Sequence, residues 1–374
     1  NPDYWTQFMS GHTPPPVKVP FVHTKFINTL RAGGINPVRE GRKTQFMALT
    51  DKDVDALAGS RELSNADTVD PAKGLKPIVG GLFDQKLTGS HDGKMWSAIP
   101  LAEPMLNPVM EEPTRRLLNL TEAKFRDVMA GRAELAGDTG PSAIHNALKS
   151  LNVDKELEEA RQAFSSGRKT AKDSAARRLR YLKSTKALGI HPGEWVLKRA
   201  PVLPPAFRPI SVMAGGVPLV SDANYLYREL HEANSNLKEL TGKISDVGEE
   251  RLALYDAFKA VVGLGEPTHP KNQERKVKGA LRSIFGNSPK YSYVQRKLLS
   301  GTTDLVGRSA IIPDPDLDLD SAGIPEDRAW SVYRPFMVRR LVRSGMKHMD
   351  AARAVEERSD PARSPPRAGL DHEQ

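Results

Sequence analysis

"SDANYLYRELHEANSNLKELTGKI", Ser221 to Ile244, carries the strongest periodic signal in the chain. Leu226, Leu230, Ala233, Leu237, Leu240 and Ile244 recur at alternating spacings of four and three, an a/d seam of about three heptads. Gly242 and Gly248 bracket a turn, and Leu252, Tyr255, Phe258 and Val262 continue the stripe on a second helix. The economical solution is an antiparallel coiled-coil hairpin, although an ordinary pair of core helices fits the same pattern.

Upstream of the seam, "PVLPPAFRP", Pro201 to Pro209, is an extended strut, because proline fixes φ at four nearby positions. Residues 161 to 199 are dense in Arg and Lys, a composition that usually marks a solvated helix face and less often a phosphate-facing one. Residues 114 to 165 carry helical periodicity, with Leu117, Leu118, Leu120 and Phe125, then Ala143, Leu148, Leu151, Leu157 and Ala160, which predicts helical hairpins. Four prolines between Pro100 and Pro113 predict extended structure until Thr114. Thr50 is placed to cap a short helix with Val54 and Leu57 on one side. Before it, "TPPP" and "LRAGGINPVREG" suggest turns and small strands.

Downstream of the seam, "EPTHPKNQERKVKGALRSIFGNSPK" reads as a basic polar loop. It leads into "KYSYVQRKLLSGTTDLVGRSAII", Lys290 to Ile312, a cationic segment running into a strand. "PDPDLDLD", residues 313 to 320, places Asp314, Asp316, Asp318 and Asp320 on one face of an extended chain. A solvated turn accounts for it better than a cation site, because neither the phase nor the residues fit an EF-hand.

The chain has 374 residues with 39% hydrophobic content, enough for two or three domains with real cores. Lys and Arg number 55 against 46 acids, a net charge of +9 that favours polyanionic partners without proving one. The absence of cysteine excludes disulfides, thiolate zinc sites and cysteine nucleophiles, and suits a reducing compartment. No apolar run approaches the length of a membrane span, and the amino terminus is not a secretory signal, so the expectation is a cytoplasmic protein with no membrane partner. Nine histidines are scattered without metal-ligand spacing. There is no phosphate loop, no dinucleotide fingerprint and no nucleophile elbow. No catalytic or metal-binding residue is assigned, and self-contained enzyme chemistry is not visible.

At about six separate places, in order, the sequence resembles the amino-terminal part of the largest catalytic subunit of multisubunit DNA-directed RNA polymerase, the bacterial β′ subunit. "TDKDVDALAGSRELSNADTVDPAKGLKPIVGGLFDQKLTG" is similar to its opening segment, with the Leu-Lys-Pro and Gly-Leu-Phe series. "HPGEWVLKRAPVLPPAFRP" is similar to the clamp segment ending in Glu-Trp and the Pro-Pro-x-x-Arg-Pro strut, here Glu194, Trp195, Pro204, Pro205, Arg208 and Pro209. "SDANYLYRELHEANSNLKEL" resembles the start of the clamp coiled coil, and Lys290 through "GIPEDRAWSVYRPFMVRRLV" resembles the switch segment and the first strands of the active-site barrel. The resemblance spans roughly residues 50 to 357.

That resemblance implies an α+β multi-domain fold: a clamp-like region with an antiparallel coiled-coil hairpin, followed by the first strands of a double-psi β-barrel. The implied domains are a segment of unclear role (1–49), clamp core with helical hairpins (50–210), lid, coiled coil and rudder-like loop (211–289), switch and barrel start (290–357), and a divergent tail (358–374). It implies DNA backbone contacts from Lys290, Arg296, Lys297 and Arg308, with Arg275, Lys276 and Lys278 in the rudder position and residues 211–221 as the lid. It implies docking of a sigma-like initiation factor at Tyr227, Arg228, Leu230, Asn234, Leu237 and Leu240. Implied partners are template DNA, the RNA transcript, a β-like subunit and a chain carrying the catalytic β′ carboxy-terminal part.

Departures from the pattern shape the expectation. The family's zinc-binding cysteines have no counterpart, which implies a zinc-free clamp and suggests a divergent form such as those carried by bacteriophages. Tyr293, Gln295, Gly301 and Thr302 stand where the family's switch carries basic residues. The Asn-Ala-Asp-Phe-Asp-Gly-Asp run that holds catalytic magnesium is absent from these residues, so Mg2+ in the assembled enzyme is expected on another chain, with this one inactive alone. The competing expectation is a catalytically silent, nucleic-acid- or polymerase-binding decoy. An autonomous phosphoryl-transfer enzyme built on the aspartates at 314–320 is the weakest of the three readings.

Overall fold

A computed structural model describes residues 19–40, 43–67, 69–70, 76–89, 93–212, 218–244, 246–286, 292–299, 308–318 and 320–359. They fall into two compact units, one of His23–Arg296 and one of Lys297–Gln374 with Asn1–Val22.

The described residues open with helix α1 (Val19–Ala32), which belongs to the larger unit from His23 on, and the antiparallel hairpin β1 (Ile35–Glu40) and β2 (Lys43–Ala48). The hairpin was legible in the turn residues, but α1 was not. Phe26 and Leu30 lie one helical turn apart, and Gly33–Gly34 end the helix. Gly34 has a left-handed φ of 76°, and a Cβ there would stand 2.5 Å from Oδ1 of Asn107. That approach lets buried Asn107 donate from Nδ2 to the carbonyls of Gly34 and Leu49, at 2.9 and 3.2 Å. Thr50 caps α2 (Asp51–Ala58) in a reciprocal capping box with Asp53, and Val54 is buried.

The central ladder pairs β3 (Ser97–Leu106) antiparallel with β4 (Val196–Val202). Ser97 faces Val202 and Leu106 faces Val196, with a register break between Pro100 and Met105. Pro100 and Pro104 supply no N–H, so the ladder cannot run through them. The backbone groups this releases are met elsewhere: the amide of Lys198 donates to Asp51 at 2.9 Å, and that of Ala102 to Asn234 at 2.6 Å.

Helices α3 (Glu111–Leu117), α4 (Glu122–Ala130), α5 (Gly140–Lys149), α6 (Val153–Ser166) and α7 (Lys169–Leu188) lie between the two strands in sequence. Helix begins earlier than the Thr114 expected from the prolines, because Pro113 sits in the first turn of α3, where a missing N–H breaks no helical bond. The Pro-rich strut is extended through Val202 and then makes one 3-10 turn, Pro205–Phe207. A short antiparallel pair follows, β5 (Ile210–Val212) with β6 (Pro218–Val220).

Helices α8 (Asp222–Leu240) and α9 (Gly248–Val262) form the hairpin read from the periodicity. Leu226, Leu230 and Leu237 are buried, whereas Ile244, at the end of the seam, is 50% exposed. α9 buries Leu252, Leu254, Tyr255, Ala257, Phe258 and Val261, which surround its axis. A helix apolar on all sides belongs inside a core, so the alternative of two core helices describes this pair better than a two-stranded rod. The stretch expected to be a basic loop contains two short helices, Pro270–Glu274 and α10 (Ala280–Phe285). Gly279 permits this, since a Cβ there would come within 2.0 Å of the Ala260 carbonyl oxygen on α9.

In the second unit, α11 (Glu326–Arg343) and α12 (His348–Glu356) pack around Leu341, Ala351 and Val355. The expected first barrel strands are not seen among its described residues. Residues 300–307 lie outside the description, and Arg308–Ile312 has no ladder partner among the described residues, with Ile311 100% and Ile312 78% exposed.

Candidate nucleic-acid interface

The site is built on a buried cation. Arg208 is fully buried, with no carboxylate among its described hydrogen-bond partners. Its Nε donates to the carbonyl of Leu203, Nη1 to Oδ1 of Asn224 at 2.8 Å, and Nη2 to the carbonyl of Leu82 at 2.7 Å. The guanidinium carbon lies 4.9 Å from the ring centre of Phe83 and 5.8 Å from that of Tyr227. Burial pushes its pKa down to about 10, which leaves the group charged at neutral pH. Asn224 returns a bond from Nδ2 to the Arg208 carbonyl at 3.0 Å, and the hydroxyl of Tyr227 accepts from the Leu203 amide at 3.0 Å. Gly81–Leu82–Phe83, the Pro-rich strut and the start of α8, far apart in sequence, therefore meet at one side chain.

A second node fixes the loop after α9. Glu229 of α8 is buried and accepts from the amide and hydroxyl of Thr268, both at 2.7 Å, and from Nδ2 of Asn272 at 2.6 Å. These bonds hold the 266–274 segment on α8 and present the basic residues that follow it. Arg275 is exposed, its guanidinium carbon 5.7 Å from the ring centre of Tyr225. Lys276 and Lys278 are exposed, and the amide of Lys278 donates to Asp222 at 3.0 Å.

Lys278 stands on a groove of about 550 Å³ whose walls include Lys25 of α1, Phe207, Ser211, Leu219 and Tyr293. Lys278, the edges of the β5–β6 pair and Tyr293 thus share one concavity. Residues 213–217, the middle of the segment expected to be the lid, lie outside the described residues. Lys25 was missed by the sequence reading, which saw no helix there; the Phe26–Leu30 spacing was the available signal.

The remaining expected DNA contacts are placed less completely. Lys290 lies outside the described residues, and Lys297 belongs to a π-helical turn, Val294–Leu299, with its side chain undescribed. Arg296 is exposed in that turn, its amide bonded to the Ser292 carbonyl at 2.9 Å. Arg308 is exposed in the second unit.

The expected docking set needs correction. Tyr227, Leu230, Asn234 and Leu237 are at most 2% exposed and belong to the core, so they offer no surface to a partner. Asn234 is committed to β3, with Nδ2 on the Pro100 carbonyl at 2.9 Å. Only Arg228, which pairs with Glu232 at 2.8 Å, and half-buried Leu240 reach the surface.

Among the described residues, no group of three or more His, Asp or Glu side chains is arranged to hold a metal ion. The aspartates at 314, 316, 318 and 320 are exposed, and the first of them closes a turn by accepting from the Asp316 amide at 3.1 Å. No helix among the described residues is long and apolar enough to cross a membrane.

No protein-family model matches the chain. Many curated proteins do, among them bacterial β′ subunits of DNA-directed RNA polymerase. The chain is 32% identical over 331 residues to that of Chloroflexus aurantiacus, covering 86% of itself and 22% of the relative. It is 29% identical over 297 residues to the Symbiobacterium thermophilum subunit and 25% over 292 residues to that of Bacillus licheniformis, covering 24% of each. The chain therefore spans less than a quarter of the length of the curated relatives it matches. With such similarity running through most of its own length, and consistent with an amino-terminal portion of those subunits, the chain belongs to the β′ family of DNA-directed RNA polymerase.

Proposed function

We propose that these residues form the DNA-holding portion of a β′-like subunit in a multisubunit RNA polymerase, positioning the template strand beside an active site completed by other residues. The observation that carries this reading is the β′ similarity over 86% of the chain. The placement of Lys278, Tyr293 and the β5–β6 edge on one groove supports it.

Nucleotidyl transfer needs divalent ions on a carboxylate cluster together with a held template and nucleotide. The described residues do not fit a magnesium site, so no metal-dependent step is assigned to them. Their part is grip. Arg275, Lys276 and Lys278, with Lys290, Arg296, Lys297 and Arg308, neutralise template phosphates, and each neutralised phosphate adds affinity without reading sequence. The β5–β6 pair with residues 213–217 acts as the lid between transcript and template. A sigma-like factor docks on the outward side of the α8–α9 hairpin, through Arg228 and neighbours rather than the buried seam. A β-like subunit closes the opposite side of the DNA channel.

The test is a replacement of Arg275, Lys276 and Lys278 by alanine in the assembled complex. The expected result is weaker DNA binding and a log-affinity versus log-salt slope shallower by about two to three. An unchanged slope removes the phosphate role from this segment.

A further inference from the structure

Helix α11 of the second unit has two unlike sides. On one, Met337, Val338 and Leu341 pack with Ala351 and Val355 of α12. Arg334 and Asp327 lie on that same side, paired with Glu356 at 3.4 Å and with Arg358. On the other, Ala329, Tyr333, Phe336 and Arg340 recur at spacings of four, three and four, a stripe about 16 Å long at 1.5 Å per residue. These four line a groove of about 380 Å³ together with Trp330 and Met337. Tyr333 is 49% exposed and Phe336 40%, with their ring centres 6.3 Å apart. Trp330 is fixed at the groove edge: its Nε1 donates to Glu326 at 3.0 Å, and the Arg358 guanidinium carbon lies 5.8 Å from its ring centre.

The residue types point to a protein partner. Tryptophan, tyrosine, phenylalanine, methionine and arginine are enriched at the centres of protein interfaces. Apart from Ala329, the described lining of the groove consists of these five types. Anchors repeating every three or four residues along one helix suit a second helix laid beside it. A single strand of nucleic acid suits the groove less well, because rings tilted by 52° are not parallel stacking platforms and the arginines gather at one end.

Charge then selects the kind of helix. The acids of α11, Glu326 and Asp327, both lie in its first turn, whereas Arg339, Arg340 and Arg343 lie in its last turns. A partner that is acidic where it crosses those arginines is attracted, and a basic one is repelled. An antiparallel helix brings its first turn to that place, and acids in a first turn also suit the helix dipole. We propose that the outer stripe of α11 is a docking groove for an acidic amphipathic helix of another polypeptide. That helix lies antiparallel to α11, with apolar side chains on Tyr333 and Phe336 and its acidic first turns beside Arg339 and Arg343. The inference rests on the side chains of α11 and not on the DNA-holding reading.

Fluorescence anisotropy of the full chain with labelled synthetic peptides tests it. The probe is an amphipathic helix of about three heptads, with leucine at a and d and glutamate at e and g. Its counterparts are the same peptide with lysine at e and g, and a scrambled peptide of the glutamate composition. The glutamate helix is expected to bind at least about tenfold more tightly than either counterpart. Y333A/F336A, which keeps every charge, is expected to weaken that binding at least about tenfold. R339E/R343E is expected to reverse the preference, so that the lysine helix binds more tightly than the glutamate one. Should Y333A/F336A lose far-ultraviolet helical signal, Y333Q alone is expected to weaken binding at least about threefold. Equal binding of the glutamate helix and its scrambled form overturns the proposal, as does binding that Y333A/F336A and Y333Q leave unchanged. Displacement of the peptide by an unlabelled single-stranded oligonucleotide, at lower concentration than by unlabelled peptide, assigns the groove to nucleic acid instead. Dimers in sedimentation equilibrium that Y333A/F336A abolishes assign it to a second copy of the chain, and either result likewise overturns the proposal.

Discussion

At the scale of single residues, Arg208 shows how a charge can be buried without an opposite charge beside it. Three oxygen acceptors and two ring faces replace water around the guanidinium, and each acceptor is itself a buried group that depends on it. Replacing Arg208 by Ala leaves the Leu82 and Leu203 carbonyls and Asn224 without that donor, for an expected loss of about 3 kcal/mol or more in urea unfolding. Arg208→Lys is expected to recover only a minor part, because a point ammonium cannot meet three divergent acceptors. A loss below about 1 kcal/mol would show that the node is dispensable. The histidines give a pH dependence of definite sign. Burial, then Lys149 and Lys198, holds His145 below its usual 6.5, and burial, then Lys238, does the same for His231. The unfolded chain therefore binds more protons as pH falls through about 6.5, so stability is full above that value and declines below it. Urea midpoints at about pH 7.5 and 5.5 are expected to differ less in H145N/H231N than in the parent; an identical difference in both contradicts the assignment. Little of this was legible beforehand: the Pro-Pro-x-x-Arg-Pro motif marked Arg208, but nothing local in the sequence says that it is buried or that Leu82 is its partner.

Among the elements, the α8–α9 hairpin was legible and its environment was not. Spacings of four and three identify a helix face, yet they cannot say whether one partner helix or a whole core covers it. The answer lay in α9, whose apolar residues surround its axis, and in Asn234, a polar residue beside the seam that serves the broken β3 ladder. The two helices in 266–286 were obscured by high charge, which outweighed the Pro270 start signal and the glycine before α10. Glu229 gives this region a testable anchor. Glu229→Ala is expected to speed amide exchange of residues 268–278 about tenfold or more while the central β3–β4 ladder keeps its protection, because the anchor acts locally. Uniform acceleration across the unit would instead mark Glu229 as part of the global core.

For the whole molecule, the class was legible because the β′ motifs are spread in order along the chain, whereas no charge count or periodicity could have named it. The excess of Lys and Arg over acids, 55 against 46, says only that a polyanion is welcome. The structure adds where cationic side chains are exposed: on the residues after the Glu229 anchor, at Arg296, and along α7. The described residues hold exposed cations and a groove, and among them no group is arranged to hold a metal ion. The most direct measurement is purification of the tagged chain from its native cells, with identification of the co-purifying polypeptides and an assay of template-directed nucleotide incorporation. Co-purification of a β-like subunit with DNA-dependent RNA synthesis is the expected result. Recovery of the chain without any polymerase polypeptide and without synthesis would contradict the account.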